Sequence, residues 1–162
     1  MTYCSVLALC AAVCQAEAAA SHPFSVHDLV GMQRITEFRL SPDGVWVVFT
    51  LRSTDLEANK GTANLWLVRS DGTGLRRLTT HPGGDRGPCW SPDSRTVLFL
   101  SDRGGSSQVW RIAIDGGEAQ PVTHLPLDVA CFRLSPDGRW LALAVEVYPG
   151  TTVVETRKRL DE

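Results

Sequence analysis

The sequence predicts an all-β fold assembled from repeated four-stranded antiparallel units, and three observations predict it. The hexapeptide Arg-Leu-Ser-Pro-Asp-Gly occupies 39–44 and returns at 133–138, with Cys-Trp-Ser-Pro-Asp-Ser between them at 89–94. Each copy leads into a short apolar, β-branched or aromatic run, which is the pattern of a strand leaving a tight turn. A second set of landmarks keeps its own fixed spacing: Trp66 and Trp110 lie 44 residues apart, and so do Thr79 and Thr123. Four antiparallel strands in about 40–45 residues is the period of a β-propeller blade. The expected architecture is therefore a partial propeller of about two and a half blades, behind a signal peptide and a short helical lead-in.

The elements follow in order. Residues 5–14 form an apolar run too short to cross a bilayer, which takes roughly 20 residues. Ala16-Glu17-Ala18 and Ala18-Ala19-Ala20 each offer a small-residue cleavage pattern, so 1–20 reads as a signal peptide cut after Ala18 or Ala20. The mature protein is then exported, periplasmic or secreted, with no membrane anchor after cleavage. Met1-Thr2-Tyr3 supplies no positive start, and a mis-assigned start or a buried amphipathic segment stays open as the alternative. Cleavage removes Cys4, Cys10 and Cys14 and leaves Cys89 and Cys131. In an oxidising compartment that pair has the option of one disulfide, but two buried unpaired thiols acting as small hydrophobes is the preferred reading. Two cysteines without clustered histidines make no zinc site.

Residues 21–36 form the lead-in, with a short helix expected within 25–34. Blade 1 is expected at 37–80, blade 2 at 86–124 and a partial blade 3 at 130–162. Each begins with a strand ending at the Ser-Pro-Asp turn and a second strand leaving it. A third carries the Trp, and a fourth ends in Leu-Thr or Val-Thr. Ser41 and Ser91 are 50 residues apart, whereas Ser91 and Ser135 are 44 apart, and the six extra residues fall in 53–63, read as an exposed loop. In the turn itself Pro fixes φ, Asp bonds back to the backbone and Gly accepts positive φ. Ser94 stands where the other copies have Gly44 and Gly138. It should cost about 1 kcal/mol there, making that hairpin the least well specified. Trp46, Trp66, Trp90, Trp110 and Trp140 suit inter-blade packing.

A net charge of −2, with no basic run longer than Arg157-Lys158-Arg159, argues against a nucleic-acid partner. Ser41, Asp43, Ser91, Asp93, Ser135 and Asp137 recur once per unit, and each has a sufficient turn role, as have Asp71-Gly72 and Asp115-Gly116. The nearest approach to a nucleophile elbow, Gly104-Gly105-Ser106-Ser107-Gln108, fails the G-x-S-x-G pattern and lies in a hairpin. His22, His27, His81 and His124 read as loop residues with no elbow serine or cysteine to serve. There is no phosphate loop, H-E-x-x-H or EF-hand pattern. Asp102-Arg103 before two glycines is the most suggestive pair, and reads as an Asp-capped connection between strands. Residues 156–162 read as a solvated loop. No catalytic, cofactor-binding or metal-ligating residue is nominated, and no cofactor is expected.

The lead-in Phe24 to Ile35, the Ser-Pro-Asp-Gly hairpin, Asn64-Leu65-Trp66, and Asp71-Gly72 before Leu78-Thr79 together resemble the opening of the prolyl oligopeptidase family of serine peptidases. The likeness is to its acylaminoacyl and secreted dipeptidyl peptidase branch. Residues 99–123 are similar to the second blade there, and Arg157 to Glu162 look like a linker inside the third. The blade motifs are shared with TolB-like periplasmic propellers, so the lead-in decides the branch. The resemblance implies an N-terminal propeller that filters substrate size above an α/β-hydrolase domain, whose Ser, Asp and His act on short peptides. None of those three positions is carried by a matching segment here, so the chain is expected to be inactive alone. Its implied partners are peptide substrates in the full-length parent and the missing hydrolase domain or further blades. Fewer blades than a ring needs leave faces uncovered. A truncated product, a partial sequence, or a short chain closing by self-association or with a separate chain are the expectations that follow. A TolB-like module acting through protein contacts is the alternative from another class, and a non-functional remnant is the third reading.

Overall fold

The computed structural model describes residues 23–162. The expected signal peptide at 1–20 and His22 lie outside the described residues. After α1 (Val26–Gly31), strands β1 (Arg34–Leu40), β2 (Trp46–Asp55), β3 (Lys60–Arg69) and β4 (Arg76–Arg77) form one antiparallel sheet in sequence order. Strands β5 (Asp85–Trp90), β6 (Thr96–Ser101), β7 (Gln108–Ala113) and β8 (Gln120–Pro121) repeat it. The third sheet holds β9 (Val129–Leu134) and β10 (Leu141–Val145), and α2 (Val153–Asp161) follows. This is an all-β partial propeller.

The repeated turn explains why the strands reverse where they do. The Ser41 hydroxyl donates to Asp43 Oδ1 at 2.5 Å and accepts from the Trp46 amide at 2.9 Å, while the Val45 amide donates to Asp43 Oδ1 at 3.0 Å. Ser91 with Asp93 and Ser135 with Asp137 repeat the arrangement, each hydroxyl 2.5 Å from its carboxylate. Gly44 and Gly138 adopt φ of 73° and 72°, and Ser94 adopts 59°, so the strained backbone expected at Ser94 is present. Ser94 is buried and its hydroxyl accepts from the Asp43 amide at 3.1 Å, tying the second turn to the first.

Successive blades meet face to face in a fixed sense. The forward face of blade 1 (Val48, Leu65, Leu67) packs on the rear face of blade 2 (Trp90, Val97, Phe99, Ile112) in one cluster. The forward face of blade 2 (Leu98, Leu100, Val109) packs on Phe132, Leu134, Leu141 and Leu143 of blade 3 in another. Two bonds near the first strands link blade 1 to blade 2. Trp90 Nε1 donates to the Arg39 carbonyl at 3.0 Å, and the Gly87 amide to Glu37 Oε2 at 2.6 Å. Trp46 and Trp110 pack beside the first cluster and Trp90 lies in it, as inter-blade residues should. Trp140 is 76% exposed.

Three expectations change. The six extra residues are not a loop insertion: they lengthen the hairpin, because Arg52 to Asp55 pair in register with Ala63 to Lys60, making β2 and β3 ten residues each where β6 and β7 are six. Residues 156–162 are not a solvated loop but belong largely to α2. The Thr152 hydroxyl accepts from the Glu155 amide at 3.3 Å and the Glu155 carboxylate from the Thr152 amide at 2.7 Å, a capping box that starts the helix. Cys89 and Cys131 are free, and only Cys89 is part-buried, against the second cluster. Cys131 is exposed and pairs across the ladder with Ala144, on the side of blade 3 turned away from blade 2.

Candidate functional site

Antiparallel connectivity puts the Ser-Pro-Asp turns at one end of the blades and the β2–β3 tip, the 102–107 loop and the 124–128 linker at the other. The turn end is spent on geometry. Asp43, Asp93 and Asp137 are held below the ordinary carboxylate value of 3.8, first by the Ser41, Ser91 and Ser135 hydroxyls and then by the amides of Val45, Arg95 and Arg139. Hydroxyls that donate to a carboxylate two residues on are structural donors, not activated nucleophiles. Asp71 is lowered in the same way, first by the Thr73 hydroxyl and then by its amide.

The opposite end carries a cavity of about 700 Å³ lined by Arg86, Asp102, Ser107, Asp128, Glu146 and Arg157 among others. Arg86 reaches it from β5 and binds both Asp102 carboxylate oxygens at 3.2 and 3.1 Å and the Ser107 hydroxyl at 2.8 Å. The Ser107 amide donates to Asp128 Oδ1 at 2.7 Å and its hydroxyl to the Val129 carbonyl at 3.1 Å. Arg157 pairs with Asp161 one helical turn on. Charges of both signs around a wide opening are suited to seating and orienting a polar ligand. They assemble no nucleophile and base.

The residues singled out from sequence stay apart. Asp102 and Arg103 do not act together: the Asp102 carboxylate answers Arg86, and its backbone carbonyl, not its side chain, accepts from the Gly105 amide at 3.0 Å. Arg103 turns inward to the fully buried Asp85 at 2.8 Å, bonds Ser101 Oγ through Nε at 3.0 Å and lies over the Phe99 and Trp110 rings. His27 and His124 are exposed, and His81 Nδ1 accepts from the Gly83 amide at 3.0 Å. In the Gly104–Gln108 loop, Ser106 accepts from Gln108 Nε2 at 3.3 Å. Among the described residues no group of three or more His, Cys, Asp or Glu side chains is placed to hold a metal ion. Sequence reasoning missed the cavity residues Arg86, Asp128 and Glu146 because they come from separate segments: β5, the linker before β9 and the stretch after β10. Arg86 beside Asp85 at the start of a blade was the only local signal.

With this geometry in hand, similarity to known proteins is informative. Residues 18–158 match the family described as the TolB beta propeller domain. The chain is 29% identical over 132 residues to the uncharacterized peptidase YuxL of Bacillus subtilis, a match covering 81% of this chain and 20% of that protein. It is 31% identical over 119 residues to dipeptidyl-peptidase 5 of Porphyromonas endodontalis, covering 74% of this chain and 17% of that one. Among solved structures, TolB from Acinetobacter baumannii superposes with a TM-score of 0.59 at 28% identity, over 72% of this chain and 28% of that one. The chain thus spans about a fifth of the length of the curated relatives it matches.

Proposed function

For this chain, which belongs to the TolB beta propeller domain family, we propose the role of the N-terminal, substrate-gating propeller segment of an exported serine peptidase. The observation that carries the reading is the length of the match to proteins named as peptidases, which takes in 81% and 74% of this chain. In this reading hydrolysis belongs to a hydrolase domain outside these residues. The blades contribute an entrance that admits short, flexible peptides and turns folded chains away. The polar cavity beside Arg86 and Glu146 is then a place for a peptide's charged groups to rest on the way in.

Three measurements test it. The purified 162-residue chain should give no turnover of short peptide p-nitroanilides; turnover blocked by a serine-directed inhibitor would refute the assignment of chemistry to another domain. The nucleotide sequence beyond the codon for Glu162 should run into further Ser-Pro-Asp blades and then a G-x-S-x-G elbow. A clean stop followed by an unrelated gene favours the second reading, a TolB-like module that works by protein contacts, which the superposition over 72% of the chain supports. Export through 1–20 is tested by fusing those residues to a reporter that is active only outside the cytoplasm.

A further inference from the structure

We propose that the first strands of the three blades, β1, β5 and β9, form a groove that binds an acidic peptide segment, with Arg39 and Arg133 as its anchors. The Arg-Leu-Ser-Pro-Asp-Gly hexapeptide points there. Its last four residues make the turn, yet the arginine that opens it at 39 and again at 133 takes no part in that geometry. Arg39 Nη1 donates to the neighbouring Phe38 carbonyl at 2.8 Å, and among the described residues neither Arg39 nor Arg133 pairs with a carboxylate.

The fold sets both arginines on the inner wall. In a propeller the blades stand around a central channel, and here β1 lies against β5 and β5 against β9. A cavity of about 260 Å³ follows these strands, lined by Glu37 and Arg39 of β1, Arg86 and Cys89 of β5, and Cys131 and Arg133 of β9 among others. It meets the larger cavity at Arg86 and Ala130, which line both. Its openness does not come from an uncovered blade. Arg39 is exposed although blade 2 packs on the forward face of blade 1, and Arg133 stands at the same register of blade 3, opposite Ala142 as Arg39 is opposite Val48.

Charge selects the occupant. The whole chain carries −2, but β1, β5 and β9 hold Arg34, Arg39, Arg86 and Arg133 against Glu37 and Asp85 alone. Both carboxylates are engaged within the fold, Glu37 by the Gly87 amide at 2.6 Å and the buried Asp85 by Arg103 at 2.8 Å. Arg86 is held in turn by Asp102. Arg39 and Arg133 are left to face the groove, where they outweigh Glu37. A cleft dominated by one sign of charge concentrates the field and draws in the opposite sign, and a guanidinium fork matches a carboxylate in particular. The cavity is too narrow for a folded surface but suits an extended chain, which advances about 3.3 Å per residue. In the gating role proposed above, the groove favours acidic peptides; the binding itself requires only these strands.

Fluorescence anisotropy of a labelled Glu-rich hexapeptide, beside Gln-rich and Lys-rich hexapeptides, tests the groove on the 162-residue chain itself. The Glu-rich peptide should bind with an affinity that falls as salt is added, and the Gln-rich peptide should bind about tenfold more weakly or worse. Arg39→Glu and Arg133→Glu should each weaken the Glu-rich peptide by about tenfold. Arg95→Glu, at an exposed arginine of the second turn outside the groove, should leave it unchanged. The double variant of Arg39→Glu and Arg133→Glu should take the Lys-rich peptide instead, a gain that misfolding cannot produce, and circular dichroism checks that each variant folds. No binding of the Glu-rich peptide, or equal binding of the Glu-rich and Gln-rich peptides, overturns the proposal. So does an equal loss in Arg95→Glu, which makes net charge and not the groove responsible. The readout is binding and not cleavage, so failure here is distinct from failure of the peptidase reading.

Discussion

In blade 2, Gln108 is buried and every arm of its amide is engaged: Nε2 donates to Ser106 Oγ and to the Leu125 and Leu127 carbonyls, and Oε1 accepts from the Thr123 hydroxyl and the Leu125 amide. Asn64 holds the same place in blade 1, one methylene shorter, and its buried Oδ1 meets no partner among the described residues. The neighbouring threonine behaves alike in the two blades, Thr79 accepting from the Leu65 amide at 3.0 Å and Thr123 from the Val109 amide at 2.9 Å. Backbone geometry is therefore common to the repeat, while the polar locks that fasten one blade to the next linker are particular to blade 2. Thr50 widens the contrast. Among the described residues its buried hydroxyl meets no partner, where blade 2 has Leu100.

The largest asymmetry is the Asp85–Arg103 pair, whose blade 1 counterparts by register are Ile35 and Ser53. Asp85 is wholly buried, and Arg103 also lies over the Phe99 and Trp110 rings between the blades. Arg103→Ala should destabilise the chain by about 3–5 kcal/mol, since it strands a buried carboxylate. Chemical denaturation measures it; a loss under about 1 kcal/mol would mean that the pair is not what distinguishes blade 2. Replacing both partners with apolar residues of similar size should cost far less than Arg103→Ala alone.

Gln108→Ala should come next, at about 2–3 kcal/mol, because several buried carbonyl and amide groups of the linker lose their partner together. Asn64→Ala should cost about 1 kcal/mol or less, its carbonyl having nothing to lose. Equal losses at the two positions would break the comparison. Thr50→Val keeps shape, removes an unpartnered hydroxyl from the junction, and should stabilise by about 1 kcal/mol in the same denaturation series.

These differences also mark how far the sequence could be read. Strands and turns were legible because the Ser-Pro-Asp turn is local: its donors and acceptors lie within five residues of Ser41. The capping box at Thr152 and Glu155 was equally local, yet the basic composition of 157–159 hid it behind the pattern of a solvated loop. The hairpin extension kept strand alternation only in part, as polar Ser53 and Thr54 face Thr62 and Gly61, so composition suggested a loop where pairing made strands. Asp85 with Arg103, and the cavity around Arg86, join segments whose distance in sequence says nothing about contact. Candidate chemistry was harder to read than fold for that reason.

The smallest effect expected is in the turns, where the blades differ by one hydroxyl. Asp43, Asp93 and Asp137 share the depressing influence of the serine two residues before each, but Asp43 also feels the Ser94 hydroxyl, for which Gly138 offers the second turn no equivalent. A carboxylate whose folded value lies below its unfolded value stabilises the fold fully above the unfolded value and loses that contribution as pH falls through the folded one. All three are surface groups, so their contribution is small and salt-sensitive. Carbon-detected titration of the Asp carboxyl signals should place all three below 3.8, and the denaturation midpoint should decline as the pH is lowered from that value through their folded ones. Ser94→Gly should move the Asp43 titration upward slightly and leave Asp93 and Asp137 where they are. A matching shift at Asp137 would mean that the first two turns are not coupled through Ser94, and that each Ser-Pro-Asp turn is electrostatically on its own.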